Sequence, residues 1–244
     1  MPTEAPVRVL GPLSVRSETT DAAITSILAA LSERNSLRIA FANTHLLYHA
    51  LKDSEFATRL SQFELFNDGI GMEMLARVCC GRGFEANLNG TDLVPQVLAA
   101  APAGTRVFLY GAKGEVLRRV SARLANLYPQ IELCGVRDGY SGRDGLIDHV
   151  RAAAPDLVLV ALGNPQQERW ICDCAREAPA GAYLGVGALF DFIGGAKPRA
   201  PRLMRWAKLE WLFRLALEPA RLWRRYTVEI GYVTWALLSR RRAA

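Results

Sequence analysis

The most constraining feature of this sequence is a series of short, continuous apolar runs between residues 106 and 187. Strand-like runs occupy residues 106–110, 131–135, 156–161 and 182–186, and each is separated from the next by polar or amphipathic chain. Continuous apolar strands that alternate with helices indicate a parallel sheet covered on both faces. The sequence therefore predicts an α/β fold, a Rossmann-like parallel sheet flanked by helices.

The same alternation extends toward the N-terminus. Residues 37–42 form another strand-like run, and residues 45–60 follow it with helical spacing. Within the main series, helical patterns cover residues 115–127, 146–154 and 166–177. These elements lengthen the predicted sheet and supply the helices that cover it.

The last fifth of the chain differs sharply in charge from the rest. Residues 1–196 carry 18 basic and 21 acidic side chains, a net charge of −3, whereas residues 197–244 carry 12 and 3, a net charge of +9. We therefore divide the chain into a Rossmann-like domain, 1–196, and a basic, Trp-rich helical appendage, 197–244. Such a tail favours an anionic partner: a membrane surface, a nucleic acid or a phosphorylated substrate. It holds four of the five tryptophans: Trp206, Trp211, Trp223 and Trp235.

From about residue 202 the appendage shows the pattern of two or three amphipathic helices, with Pro219 in the first turn of the last one. Its longest apolar stretch, residues 226–238, is interrupted by Glu229 and is shorter than the about 20 residues that a membrane span needs. The N-terminus has no signal-peptide pattern, and the five cysteines show no zinc-like spacing. We therefore expect a cytoplasmic protein, held peripherally at the inner face of the cytoplasmic membrane.

Small and polar residues follow the predicted strands. Ligands of parallel sheets bind beyond the carboxyl ends of the strands, so these loops are candidate binding segments. Each also has a structural explanation: Gly111-Ala-Lys-Gly114 can be a tight turn, and Asn164-Pro165 can be an N-cap with proline at the first helical position. The candidates are Asn43-Thr44, Asp68-Gly69-Ile70-Gly71, Asn89-Gly90-Thr91-Asp92, Gly111 with Lys113, Gly139-Tyr140, Gly163-Asn164 with Gln167-Glu168, and Asp191.

Several catalytic patterns are missing from the sequence. The three histidines make no Ser/His/Asp or metal-binding array, and the His45–His49 pair is more typical of surface or core histidines. No Asp-x-Asp pair occurs, although many nucleotide-sugar enzymes hold Mg²⁺ or Mn²⁺ through one. We therefore expect no cofactor and no metal ion.

Taken together, the motifs resemble those of the WecG/TagA/CpsF glycosyltransferase family over about residues 35–228. Any one of them is weak evidence, but their common order is specific. In sequence order they are Asn43-Thr44, Asn67-Asp-Gly-Ile-Gly71, Asn89-Gly-Thr-Asp-Leu93, Leu109-Tyr-Gly-Ala-Lys113, Gly135-Val-Arg-Asp-Gly-Tyr140, Gly163-Asn-Pro-Gln-Gln-Glu168, Gly185-Val-Gly-Ala-Leu-Phe-Asp191, Arg199-Ala-Pro201, Leu209-Glu-Trp-Leu-Phe-Arg214 and Glu218-Pro-Ala-Arg-Leu-Trp-Arg-Arg-Tyr226.

The resemblance implies an inverting enzyme that moves a hexose from a UDP-sugar donor onto a sugar linked to polyprenyl diphosphate. Members act at the cytoplasmic face of the membrane in the synthesis of surface polysaccharide, usually forming a β-1,4 linkage. They share a Rossmann-like fold with a C-terminal appendage. An anionic membrane surface is therefore an expected partner.

The resemblance also implies residue roles. The family's general base corresponds to Asp68, and its appendage arginines correspond to Arg214, Arg221 and Arg224, which would lie on one face of a continuous helix and meet a diphosphate. Expected substrate-binding residues are Asn43, Thr44, Asn89, Thr91, Asp92, Gly111, Lys113, Gly139, Tyr140, Gly163, Asn164, Gln167, Glu168 and Asp191.

Two departures from the family pattern bear on the donor sugar. Many members have Arg-Val-Thr where this chain has Asn87-Leu-Asn89, and many have threonine where it has Phe41. The variant looks more like the branch that adds the second glucose of xanthan-type exopolysaccharides, so we expect UDP-glucose. The alternative donors are UDP-N-acetylmannosamine and UDP-N-acetylmannosaminuronate.

The sequence also bears on two other classes of protein, a dehydrogenase and a nucleic-acid-binding module. A dinucleotide-dependent dehydrogenase needs G-x-G-x-x-G after a strand, and Gly111-Ala-Lys-Gly114 lacks that spacing. A nucleic-acid-binding module is suggested by the basic tail and would stack bases on its tryptophans. Trp206, Trp211 and Trp223 occupy mostly apolar helical positions, which favours packing or membrane-interface burial, so we expect no nucleic-acid partner.

Overall fold

The computed structural model describes residues 6–242, with side chains up to residue 239. One eight-stranded sheet forms the centre of this part of the chain. Its strands are β1 (Val7–Leu10), β2 (Leu13–Arg16), β3 (Leu37–Ala42), β4 (Glu64–Asn67), β5 (Arg106–Gly111), β6 (Glu132–Arg137), β7 (Leu157–Ala161) and β8 (Ala182–Gly185).

The strands lie in the order β1-β2-β4-β3-β8-β7-β5-β6, and every neighbouring pair is parallel except β1 with β2. The predicted α/β fold with a mostly parallel sheet is therefore confirmed. The β1–β2 hairpin was not predicted, because each strand has only four residues with alternate side chains exposed. A run this short gives little periodicity to recognise.

The helices cover both faces of the sheet. They are α1 (Thr20–Glu33), α2 (Thr44–Lys52), α3 (Ser54–Leu60), α4 (Ile70–Cys80), α5 (Gly90–Ala100), α6 (Gly114–Leu127), α7 (Leu146–Ala153), α8 (Gln166–Glu177), α9 (Leu189–Ile193), α10 (Arg202–Trp206), α11 (Glu210–Leu217), α12 (Pro219–Arg224) and α13 (Ile230–Arg242); a π-helical turn, Arg225–Glu229, joins the last two.

Two details of the predicted helices are wrong. The helical stretch 45–60 is two helices, because Asp53 ends α2 and its side chain accepts a hydrogen bond from the backbone N–H of Phe56 to cap α3. Asn164 does not cap α8: Pro165 precedes its first residue, and the Asn164 amide donates to the carboxylate of Glu168 instead.

The hydrophobic core has one half on each face of the sheet. Helices α2, α3, α4, α7, α8 and α13 pack on one face, and α1, α5, α6 and α9 pack on the other. The chain therefore leaves β3 toward the first face and leaves the adjacent β8 toward the second. Ligands of many open α/β sheets bind at such a divergence. In this protein the described cavity lies one strand away, at the ends of β3 and β4, whose following helices α2 and α4 pack on the same face.

The C-terminal segment folds onto the sheet domain. Helix α13 packs along α2 and α4, and the buried side chains of Val233 and Leu237 join the core. Residues 202–242 form α10, α11 and one continuous helical segment, 219–242, in which the π-helical turn joins α12 to α13. The predicted number of helices and the place of Pro219 at the start of the last one are confirmed. The backbone of Glu218 is non-helical (φ −134°, ψ 57°), so Arg214 lies on a different helix from Arg221 and Arg224. The predicted boundary between residues 196 and 197 stays a prediction.

Among residues 6–242, no helix is both long enough and apolar enough to cross a membrane.

Candidate active site

A cavity of about 790 Å³ opens at the carboxyl ends of β3 and β4. Its walls are the start of α2, helix α4, the segment 84–91 and parts of the C-terminal helices. Six of the predicted site residues line it: Asn43, Thr44, Asp68, Asn89, Thr91 and Arg214. The structure thus brings the predicted base and one appendage arginine to a single cavity.

Asp68 follows β4 directly and is held from the neighbouring strand. Its backbone N–H donates to the carbonyl oxygen of Ala42 at 2.8 Å, and the Asn43 side chain lies 3.4 Å from its carboxylate. The other end of the Asn43 amide accepts hydrogen bonds from the backbone N–H groups of His45 and Leu46, which caps α2. The cap fixes Asn43, and Asn43 in turn orients the carboxylate of Asp68.

The turn after Asp68 needs glycine. Gly69 has φ +90°, and its N–H donates to the side-chain oxygen of Asn87 at 3.0 Å. A Cβ at Gly71 would lie 2.7 Å from the Thr44 side chain, so α2 and α4 begin very close together. Two helix N-termini therefore meet at the cavity, where their positive ends favour an anion.

Asp68 has the electrostatics of a proton acceptor. Burial raises the pKa of its half-buried carboxyl above the ordinary aspartate value, while the charge of Arg214 and the hydrogen bond from Asn43 oppose that shift. A carboxylate with a raised pKa holds a transferred proton better than an exposed one does, which suits a general base.

The cavity is also lined by cations from the C-terminal helices: Arg205, Lys208, Arg214 and Arg225. The Nε atoms of the three arginines are buried and have no hydrogen-bond partner among the described residues. Burial lowers the pKa of Arg225, although Tyr226 and Asp68 oppose this. Arg214 also donates from Nη2 to Glu210 at 3.0 Å. A half-buried guanidinium group whose Nε–H is unpaired is stabilised by an anionic ligand, and diphosphate has the oxygens to accept from it.

Sequence reasoning did not identify Arg225, whereas Arg221 and Arg224 do not line the cavity. Arg221 is exposed and pairs with Glu218, and Arg224 is also exposed. Arg225 is the first residue of the π-helical turn. Such turns change the helical register and are common at functional sites, and here Arg225 rather than Arg221 or Arg224 lines the cavity.

Gln167 and Glu168 do not line the cavity. Gln167 is buried, and its amide uses all four hydrogen-bonding positions: the oxygen accepts from the N–H groups of Gly163 and Gly187, and the nitrogen donates to the Gly185 carbonyl and to Glu168. It therefore ties together the loops that follow β7 and β8. A direct contact with substrate stays a prediction.

The remaining predicted residues lie in these neighbouring loops or at the surface, and none of them lines the cavity. Gly111 has φ +118°, and a Cβ there would lie 2.4 Å from the Ala161 carbonyl, so only glycine lets these two loops meet. Lys113 and Tyr140 are exposed, Asp92 pairs with Arg199, and Asp191 pairs with Lys197; the others are Gly139, Gly163 and Asn164.

Within the part of the chain that the structure describes, no three His, Cys, Asp or Glu side chains converge to hold a metal ion. The expectation of metal-independent chemistry stays a prediction. Cys80, Cys134, Cys172 and Cys174 carry free thiols.

A polar contact joins the C-terminal segment to the start of α2. The Nδ1 atom of His45 lies 2.6 Å from the carboxylate of Glu229, which ends the π-helical turn, and the His49 ring stacks edge-on against His45. Burial and the charge of Arg225 lower the pKa of His45, whereas Glu229 raises it. The contact holds the turn that carries Arg225 beside the helix that Asn43 caps.

Comparisons with known proteins match this chain to one family and to relatives in Bacillus. The family model described as "Glycosyl transferase WecG/TagA/CpsF family" matches residues 7–244. A Bacillus subtilis (strain 168) protein named N-acetylglucosaminyldiphosphoundecaprenol N-acetyl-beta-D-mannosaminyltransferase is 35% identical over 190 residues, which cover 77% of this chain and 73% of the relative. A Bacillus spizizenii protein of the same name is 34% identical over 217 residues, 88% of this chain and 83% of the relative.

The first prediction concerns Glu168, whose pKa burial raises from 4.5 to about 7. The unfolded chain releases this proton at lower pH, so the free energy of unfolding falls by up to about 3 kcal/mol as pH rises through this window. Glu168→Gln keeps the oxygen that Asn164 and Gln167 bond, and we expect it to remove that part of the pH dependence. Denaturant titrations between about pH 4.5 and pH 8 measure it; the control is the exposed Glu132→Gln. Equal slopes for parent and Glu168→Gln would contradict the assignment.

The second prediction concerns the His45–Glu229 contact. Glu229→Ala removes an acceptor that is about 17% exposed, at a cost of about 1–3 kcal/mol locally. We expect faster amide hydrogen exchange in residues 225–239 and unchanged exchange in the central strands. The matched control is Glu115→Ala, which removes an exposed pair on α6. Unchanged exchange in the C-terminal segment would show that this contact does not hold it.

Proposed function

The chain belongs to the WecG/TagA/CpsF glycosyltransferase family, and we propose that it moves an N-acetylmannosamine-type sugar from UDP onto a sugar linked to polyprenyl diphosphate. The carrying observation is the cavity in which the carboxylate of Asp68 faces a set of arginines with unpaired donors. A base beside a diphosphate-binding surface is what inverting transfer from a nucleotide-sugar requires.

The proposed donor differs from the UDP-glucose expected from the sequence. Both relatives are named as N-acetylmannosaminyltransferases, which supports the alternative donor. Phe41, one of the two departures from the family pattern, also lies outside the cavity, because its ring is buried against Phe66 and the start of α5. Asn87 does line the cavity, so UDP-glucose stays as the second candidate.

In the proposed reaction, the acceptor hydroxyl attacks the anomeric carbon of the donor in line with the departing UDP. Asp68 takes the proton of that hydroxyl as the new C–O bond forms, and Asn43 keeps its carboxylate aimed at the acceptor. The bond between the anomeric carbon and the β-phosphate oxygen breaks. Arg214 and Arg225 stabilise diphosphate charge in the cavity, and we propose that these cations replace a metal ion.

We also propose that the appendage holds the protein on the anionic inner face of the cytoplasmic membrane. Trp206 is 83% exposed, Trp235 is 64% exposed and Trp223 is 51% exposed. Exposed tryptophans beside arginines suit the membrane interface, where each basic residue contributes about 1 kcal/mol. The side chains of residues 240–242, three arginines that we expect to add to this attraction, lie outside those described.

The third prediction tests the donor. With N-acetylglucosaminyl-diphosphate-lipid as acceptor, we expect transfer from UDP-N-acetylmannosamine, persisting with a metal chelator, and at least about tenfold lower kcat/KM with UDP-glucose. UDP-N-acetylmannosaminuronate is included as the related donor. Exclusive use of UDP-glucose would overturn the donor assignment, and transfer from none of the three would overturn the enzyme assignment.

The fourth prediction tests the base. Asp68→Asn is expected to lower kcat by about 10²–10⁴-fold, since its amide cannot accept the proton. In the parent, kcat/KM should fall as the pH is lowered, because the protonated carboxyl is inactive. This fall should occur at a pH above 3.8, the ordinary pKa of aspartate. Arg214→Met removes the charge that lowers the pKa of Asp68, so it should move the acidic limb of the kcat/KM profile to higher pH.

The control for this experiment is Asp148→Asn, an exposed carboxylate on α7 that should leave both rate and pH profile unchanged. Normal turnover of Asp68→Asn, or an acidic limb unmoved by Arg214→Met, would contradict the proposed role of Asp68.

A further inference from the structure

The cavity has a second end that the chemistry above does not use. Beyond Asp68 it continues between α4 and α13, where its lining is mainly apolar. The apolar side chains are Met74, Leu75 and Val78 on α4, and Ile230, Leu237 and Leu238 on α13. We call this part of the cavity the α4–α13 groove.

The groove descends from the catalytic edge along one face of the sheet. Helix α4 starts beside Asp68, and at its far end the Cys80 thiol donates to the Val9 carbonyl on β1. Helix α13 runs the same way, because Leu237 packs against Gly11 in the β1–β2 turn at the opposite edge. From Ile230 to Leu238, an α-helix rises about 12 Å.

The side chains along the walls of the groove are exposed to solvent, whereas those at its base are buried. Met74 is 61% exposed and Leu238 is 39% exposed, whereas Leu75 and Leu237 are buried beneath them. The charges nearby are neutralised, since Arg77 pairs with Glu73 on the same helix. An apolar channel that remains open to solvent gains free energy by covering apolar surface.

The polar end of the cavity identifies what would lie in this channel. Arg225 and Ile230 are five residues apart, so the cations and the groove are contiguous. A lipid diphosphate bound by Arg214 and Arg225 has two substituents: the sugar that must face Asp68, and the prenyl chain that must leave in another direction. The groove is the apolar exit that starts beside these cations.

We propose that the α4–α13 groove binds the first isoprene units of the acceptor lipid. This inference rests on the proposed function and adds to it a protein-borne site for the lipid, distinct from the bilayer. The protein then selects its acceptor by the prenyl chain as well as by the sugar and the diphosphate. A chain segment of about 12 Å fits along the groove, and the rest of the lipid stays outside it.

The test uses the full chain and water-soluble acceptors without membrane or detergent. The acceptors are N-acetylglucosaminyl diphosphates that carry one, two, three or four isoprene units. We expect kcat/KM to rise about tenfold from one to three units, as apolar surface is buried, and then to level off. This rise in kcat/KM should come from a lower KM, with kcat nearly constant.

Two groove variants localise the effect. Met74→Gln and Leu238→Gln keep side-chain size but make the wall polar, and each should remove most of the chain-length dependence while leaving the one-unit acceptor unchanged. The control is Leu127→Gln on α6, where the native side chain is 63% exposed and does not line the cavity. It should behave as the parent does.

The outcomes separate the two proposals. Equal use of all four acceptors, or a chain-length dependence that both groove variants retain, would overturn the groove assignment and leave the proposed function standing. No transfer to any acceptor would overturn the proposed function and the groove assignment with it. Chain-length dependence that is lost in the groove variants and kept in Leu127→Gln supports the groove.

Discussion

The carboxylate of Asp68, buried opposite arginines that come from a distant part of the chain, is the constraint on which the site depends. Burial is the largest cause that raises the pKa of this carboxyl, and Arg214 and the Asn43 amide oppose the shift. The same enclosure leaves the Nε atoms of Arg205, Arg214 and Arg225 without partners among the described residues. A bound diphosphate would satisfy these donors, so the geometry of the cavity favours the charge that the proposed reaction develops.

The C-terminal segment therefore has a catalytic as well as an anchoring part in the proposed function. The His45–Glu229 contact and the packing of α13 along α2 and α4 bring its cations to the ends of β3 and β4. The exposed tryptophans of the same segment face outward. One segment thus closes the proposed diphosphate site and also supplies the proposed membrane-binding surface.

Sequence patterns predicted the sheet well where the apolar runs are long, as in β5 and β7, and the motif order indicated the family. They also selected Asn43, Thr44, Asp68 and Arg214 correctly as neighbours. Gln167, which is predicted to bind substrate, does not line the cavity, and its buried amide ties two loops together. A pattern of residue types carries no information on which side of a loop a side chain lies. The resemblance pointed to Arg221 and Arg224, which do not line the cavity, whereas Arg225 does, because the break at Glu218 and the π-helical turn change the helical register.

By itself, the sequence determined the fold class, the family and the presence of a basic C-terminal segment, because these follow from local periodicity, motif order and composition. Only the tertiary structure decided which cations face Asp68, where Glu168 is buried, and that an apolar groove continues from the cavity. Those properties depend on distances between residues far apart in the chain, such as His45 and Glu229 or Ile70 and Ile230. They arise when helices pack, and no local pattern of residues encodes them.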